Sequence, residues 1–282
     1  MREWLIHKVG EFIDVDEFIR AERFVYASGD AVSIADAYRQ STPIWFHREL
    51  PVEAPVPGEM PIVFQDERIL VVDKPPFLSR IPRGKHILQS AVVKLRARLG
   101  MPELTPAHRL DRVTSGLLLF TTERRWRGPY QSVFQQREAH KIYRALARTD
   151  ASLTWPVTVK NHLVKHEGTH RVQVIEGAAP NAISTIEVER VLGDTSEYRL
   201  SPLTGKTHQL RQHMLSLGLP IVGDPLYPTE RAVALDDFSD PLQLLAAELS
   251  FTDPVDGSAR HFVSARALPI VGHPASARAP SV

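Results

Sequence analysis

Leu117-Leu118-Leu119-Phe120 is an unbroken apolar run that follows directly on His108-Arg109-Leu110-Asp111-Arg112-Val113-Thr114-Ser115-Gly116. A short continuous run of large apolar residues reads as a buried strand, so the chain must fold around it. The Arg, the carboxylate and the tight Thr-Ser-Gly turn then fall at the strand's edge, where a rigid scaffold presents reactive side chains. An Asp in a turn before a strand is ordinarily a solvated turn former. Asp111 taken alone therefore does not mark a catalytic site.

The apolar fraction of 43% over 282 residues suffices for a buried core. The longest apolar runs, such as Ile69 to Val72 and Leu117 to Phe120, are far too short to span a bilayer, and the N-terminus shows no basic-then-apolar leader. The expectation is a soluble, cytoplasmic protein. Cysteine is absent, which excludes disulfides, zinc-thiolate sites and thiol nucleophiles together.

The net charge of +1 conceals an uneven distribution. Residues 80 to 148 hold fifteen Lys and Arg against four Asp and Glu, a net of +11, so the rest of the chain carries about −10. A polyanion is the natural partner of such a segment, and nucleic acid is the commonest one.

Residues 1 to 60 read as a small extension. Arg23 to Tyr26 and Trp45 to Glu49 suggest short strands, and Pro51, Pro55, Pro57 and Pro61 make an extended bridge. A catalytic domain is expected over 61–270 and a disordered tail over 271–282, where Pro, Ala and Ser predominate. Within the main domain Ile69 to Val72 reads as a buried strand stopped by Lys74-Pro75-Pro76. Leu88, Val92, Leu95 and Leu99 recur at helical spacing before Gly100, and Tyr130, Val133, Phe134 and Arg137 do the same. Lys141 to Leu146 alternates as a strand does, and Ile183 to Leu192 with Glu197 to Leu203 reads as a strand pair around Gly193-Asp194. His162, His166 and His170 are spaced by four, but Gly168 interrupts any helix that would align them on a metal.

Leu203-Thr204-Gly205-Lys206-Thr207-His208-Gln209-Leu210-Arg211-Gln212-His213-Met214 is a second constellation. Leu210, Met214 and Leu217 give a helical stripe, and the Thr-Gly-Lys-Thr start places backbone amides, a hydroxyl and a Lys at the helix's positive end, a natural anion site. His208 and Arg211, three apart, share a face. The phosphate loop of nucleotide-binding proteins is excluded because its preceding glycine is missing. Leu219 to Tyr227 follows as a dense run of turn residues.

His108 to Phe120, Leu203 to Met214 and Leu219 to Tyr227 resemble, in order, three signatures of the RluA-type RNA pseudouridine synthases. Val71 to Pro76 resembles that family's Lys-Pro segment, and Lys141-Ile142-Tyr143 its K-x-Y element. The resemblance implies isomerisation of uridine to pseudouridine within an RNA chain, ribosomal or transfer RNA, on a mixed α/β domain. That domain has a mainly antiparallel sheet, flanking helices and a central basic cleft. It implies Asp111 as the catalytic carboxylate, acting at the anomeric carbon or at C2′. Arg211 would be its ion-pair partner, since a guanidinium suits a buried pair better than an ammonium does. Tyr143 would stack on the flipped uracil, and Arg109 would enter the RNA stack as the target base leaves. Lys74, Arg80, Arg83, Lys85, Lys206 and His208 stand as RNA contacts, and His108, Thr114 and Gly116 as supports of the motif loop. No metal and no organic cofactor is implied, and the protein is expected to act as a monomer. Two departures stand out. Residues 1 to 60 lack the basic helical pair of an S4-type module and carry Glu11, Asp14, Asp16 and Glu17, and Lys206 replaces the family's usual Arg. A noncatalytic RNA-binding protein on the same scaffold has no need of Asp111, Tyr143 and Arg211 together. A hydrolase would need a second carboxylate or a metal.

Overall fold

The computed structural model describes residues 1–11, 13–46, 52–84 and 86–272. His47 to Glu49, Pro51, Lys85 and residues 273–282, on which several of the readings above fall, lie outside the described residues. Two units emerge, Met1–Val52 and Glu53–Val282, so the Pro-rich segment from Ala54 to Met60 belongs to the larger one.

The smaller unit holds α1 (Arg2–Val9), α2 (Val15–Arg20) and an antiparallel pair, β1 (Phe24–Tyr26) with β2 (Ile44–Phe46). Leu5, Val15, Phe18, Ile19, Phe24 and Val32 form its core. Asp14 caps α2 by accepting the Glu17 amide, and Asp16 takes a two-pronged bond from Arg2 at 2.5 Å. Two of the four acidic residues are thus used locally. The helices are absent from the sequence reading, because each is too short to show a full apolar period.

The larger unit is the expected mixed, mainly antiparallel sheet with helices around it. Its strands are β3 (Ile62–Gln65), β4 (Ile69–Lys74), β5 (Thr105–Pro106), β6 (Ser115–Thr121), β7 (His140–Arg148), β8 (Val157–Asn161), β9 (Leu163–Val164), β10 (Gln173–Val174), β11 (Ala182–Leu192), β12 (Thr195–Pro202), β13 (Leu244–Thr252) and β14 (Ala259–Val263). Its helices are α3 (Ala91–Leu99), α4 (Arg124–Gln135) and α5 (Gln209–Ser216). The main sheet runs β3-β4-β6-β13-β7-β12-β11-β8, with β5 on β6 and β14 on β13, while β9 and β10 pair separately.

Every residue of β4 and β6 is buried. Leu70, Val72, Leu118 and Phe120 face one core with Val92, Leu95, Leu210 and Met214, and Ile69, Val71, Leu117 and Leu119 face another with Tyr130, Val133 and Phe251. Covering both faces removes the polar alternation a half-exposed strand would show. The parallel contact within the sheet joins β6 to β13 at Ser115–Leu245 and Gly116–Ala246. There the backbones nearly touch: a Cβ on Gly116 would lie 2.3 Å from the Ala246 carbonyl oxygen, and its φ is +106°. Gly116 is therefore a strand residue at a close backbone approach, with a role beyond the turn.

Candidate active site

The loop from His108 to Thr114 enters β6 and is fixed from several sides. Leu110 and Val113 are buried in the core beneath it. Lys74 Nζ donates to the Arg112 carbonyl at 3.1 Å and to the carbonyls of Pro75 and Leu78, and Arg80 Nη1 donates to the His108 carbonyl at 2.9 Å. His108 Nε2 accepts the Leu119 amide at 3.0 Å, standing in for a strand carbonyl, while its ring stacks on Phe134 with centroids 4.5 Å apart. Burial, aided by the charge of Lys141, pulls the His108 imidazole down to about 3, so it remains the neutral acceptor this bond requires.

Asp111 opens onto a cavity of about 450 Å³, which the loop shares with β7, α4 and the start of α5. His108, Arg109, Asp111, Thr114, Tyr143, Lys206, His208 and Arg211, named from sequence, all line it. Lys141, Gln131 and Gln135 line it as well. Arg109, Arg137 and Lys206 are exposed at its rim, giving the cleft a cationic mouth.

Other predicted contacts lie elsewhere. Lys74 is fully buried and its nitrogen is spent on three carbonyls, so the expected phosphate contact is corrected to a strut that ties the Lys-Pro turn to the motif loop. Burial, with the charges of Arg112 and Arg266, pulls its ammonium well below the usual range. Arg80 does not line the cavity and props the same loop through His108. Arg83 is exposed and bridges through its backbone to His86.

Two donors of the anion site expected at Thr204 to Thr207 are turned inward. Gln209 Oε1 takes the Thr204 hydroxyl at 2.7 Å and the Lys206 amide at 3.0 Å, and its amide nitrogen donates to Ile183 and Ser184. Those donors are consumed inside the fold. The helix begins one turn later than the pattern suggests, with His208 as its N-cap in the left-handed region at φ +51°.

Arg211 also differs from expectation. Its Nε and Nη2 bind both oxygens of Asp224, at 2.7 and 2.5 Å, and its Nη1 lies 3.8 Å from Asp111 Oδ2. Asp111 is thus an ion-pair neighbour of Arg211, and Asp224 is its hydrogen-bonded partner. Asp224 further accepts the amides of Leu226 and Tyr227. Gly223 precedes it at φ +74°, where a Cβ would lie 2.3 Å from the Pro241 carbonyl oxygen. Sequence reasoning reached this Gly-Asp turn but assigned Asp224 no role. The signal available was a lone acid in an apolar turn after a predicted buried Arg.

Tyr143 projects from β7 between β12 and β13. Burial, reinforced by the charge of Asp111, raises its phenol, which therefore stays protonated. Burial likewise lowers the Lys141 ammonium. Among the described residues no group of His, Asp and Glu is arranged to hold a metal, and no helix is long and apolar enough to cross a membrane. His162 and His170 are engaged with the Ala179 carbonyl and with Glu230.

A carboxylate beside a clamped guanidinium, under a half-buried tyrosine and inside a cationic rim, suits attack on the sugar of a nucleotide turned out of its strand. Residues 68–216 match the family model described as RNA pseudouridylate synthase. The chain is 34% identical over 204 residues to the dual-specificity RNA pseudouridine synthase RluA of Vibrio cholerae, covering 68% of this chain and 77% of that protein. It is 31% identical over 210 residues to the Haemophilus influenzae protein of the same name, covering 74% and 94%. Among solved structures it is similar to human RNA pseudouridylate synthase domain containing 1, with a TM-score of 0.60 and 25% identity over 78% of this chain and 92% of that one.

Proposed function

The chain belongs to the RluA-type RNA pseudouridylate synthase family and is an RNA pseudouridine synthase, an isomerase, and on that premise we propose that Asp111 is its catalytic carboxylate. The observation that carries the assignment is the meeting of Asp111, Tyr143 and Arg211 in one cavity although they come from a loop, a strand and a helix.

Asp111 acts on the ribose of the target uridine. The N1–C1′ bond breaks with its electron pair passing to the base, the uracil turns against Tyr143, C5 bonds to C1′, and the proton lost from C5 is balanced by one taken up at N1, so that the product is an isomer of uridine. Arg211 balances the carboxylate's charge in a site that shields it from water. Tyr143 supplies the stacking face, and its protonated phenol is a hydrogen-bond donor. Arg109 at the rim takes the space of the departing base, with Arg137 and Lys206 set to meet phosphates. His108 and Thr114 hold the loop. The substrate is structured ribosomal or transfer RNA, and the protein works as a monomer in the cytoplasm with its own side chains as the reacting groups.

Mapping pseudouridine in total RNA from cells lacking the protein, complemented with wild type or Asp111→Asn, tests this. At least one ribosomal or transfer RNA site is expected to vanish in the deletion and to return only with wild type. Restoration by Asp111→Asn would exclude Asp111 as the catalytic group.

A further inference from the structure

His208 carries features that the Asp111, Arg211 and Asp224 set does not require. Its backbone sits at φ +51°, a region that non-glycine residues rarely occupy, and the surrounding contacts hold it there. The Val172 amide donates to the Tyr227 hydroxyl oxygen at 2.9 Å, and that hydroxyl lies 3.2 Å from His208 Nδ1. The Tyr227 ring meets the imidazole edge-on, at 84° and 5.9 Å between centroids.

These contacts fix the tautomer. Tyr227 is only 1% exposed, and its hydroxyl proton has one acceptor in reach among the described residues, His208 Nδ1. If Nδ1 were itself protonated, the Tyr227 proton would be buried without a partner, which the fold disfavours. Nδ1 therefore accepts, and Nε2 carries the proton. Nε2 lies 3.9 Å from Asp111 Oδ2, beyond hydrogen-bond range, and the ring lines the cavity. The same Asp111 oxygen is approached by Arg211 Nη1 at 3.8 Å. A nucleotide sugar placed at Asp111 thus has a cation and an uncharged N–H beside its anomeric carbon.

We propose that His208 is a catalytic residue, donating a hydrogen bond from Nε2 to O2 of the target pyrimidine as the N1–C1′ bond breaks, with Tyr227 and Val172 as the positioning residues that lock its tautomer. The assignment rests on Asp111 acting at the ribose. O2 is the base oxygen nearest the glycosidic nitrogen, and O4 lies across the ring. When the bond breaks, its electron pair leaves with the base, whose negative charge spreads onto O2 and O4. An N–H already aimed at O2 stabilises that charge without reorganising. His208 keeps its proton throughout, so the proton balance of the isomerisation is unchanged.

Ring nitrogen NMR of the free protein is expected to show Nε2 protonated and Nδ1 accepting, with the preference lost in Tyr227→Phe. In single-turnover assays on RNA bearing uridine at the target, His208→Phe is expected to slow conversion by about 100-fold at unchanged RNA affinity, and His208→Gln, which keeps a donor near Nε2, to recover most of the rate. With 2-thiouridine, whose sulfur is a weak acceptor, the His208→Phe penalty should shrink towards none, and with 4-thiouridine it should persist. A protonated Nδ1, an equal penalty for uridine and 2-thiouridine, or a loss confined to RNA affinity would each overturn the proposal. Failure of the wild type to convert any RNA would instead sink the reading of Asp111, while the NMR result judges the tautomer separately.

Discussion

Asp224 holds Arg211 by two of its three guanidinium nitrogens, at 2.7 Å from Nε and 2.5 Å from Nη2, and so directs the third, Nη1, at Asp111, 3.8 Å away. Both partners are almost fully buried, and removing one leaves the other's charge uncompensated. Asp224→Ala should therefore destabilise the fold by about 3–5 kcal/mol in urea titration. Asp224→Asn keeps the shape and loses the charge that sets the clamp. It should cost less stability but slow single-turnover conversion by more than about tenfold, as one charge-assisted bond does when weakened. A wild-type rate in a folded Asp224→Asn protein would show that Arg211 needs no such clamp.

Gly116 and Ala246 lie in register across the parallel contact that joins β6 to β13, and an added Cβ would sit 2.3 Å from one backbone atom and 2.7 Å from another. Neither atom belongs to a side chain able to swing away. Gly116→Ala combines that overlap with a φ of +106°, so a loss of about 2–5 kcal/mol is expected. A melting temperature within 2 °C of wild type would contradict the close approach, since a loss of this size corresponds to at least about 4 °C.

The central strands were legible because apolar runs such as Ile69 to Val72 and Leu117 to Phe120 can be buried in only a few ways. Asp111, Tyr143 and Arg211 were legible as members of ordered signatures. What escaped depends on pairing across sequence distance. Nothing local says that Asp224 will find Arg211, that Gln209 will consume the donors of Thr204 and Lys206, or that Lys74 will turn inward to carbonyls from two segments. A lysine before two prolines reads as solvated until the fold shows where its nitrogen ends.

The exposed rim cations and the buried lysine should separate in salt titrations. Lys206 and Arg137 are exposed at the cavity rim, so Lys206→Ala and Arg137→Ala should each weaken RNA binding and lower the slope of log K against log salt by about one. Lys74→Met should leave the slope at its wild-type value, because the ammonium meets no solvent, and should instead slow conversion by loosening the loop at Arg112. A reduced slope in Lys74→Met would put that nitrogen back on the RNA.

His213 is fully buried in α5, and neither ring nitrogen has a hydrogen-bond partner among the described residues. Burial lowers it from its ordinary 6.5 to about 4, and burial likewise lowers His208 to about 4 and His108 to about 3. The sign follows from proton binding: between these values and 6.5 the unfolded chain takes up protons that the folded chain refuses. Stability from these residues is complete above about pH 6.5 and falls as the pH drops towards 4, by up to about 3 kcal/mol for His213. Urea midpoints at pH 7.5 and 5.0 should therefore differ markedly in wild type. His213→Leu removes the two unpaired nitrogens and one of the three titrating rings, so its midpoints should lie closer together. An equal drop in both proteins would mean that His213 finds a proton acceptor inside the fold, and that acid sensitivity arises elsewhere.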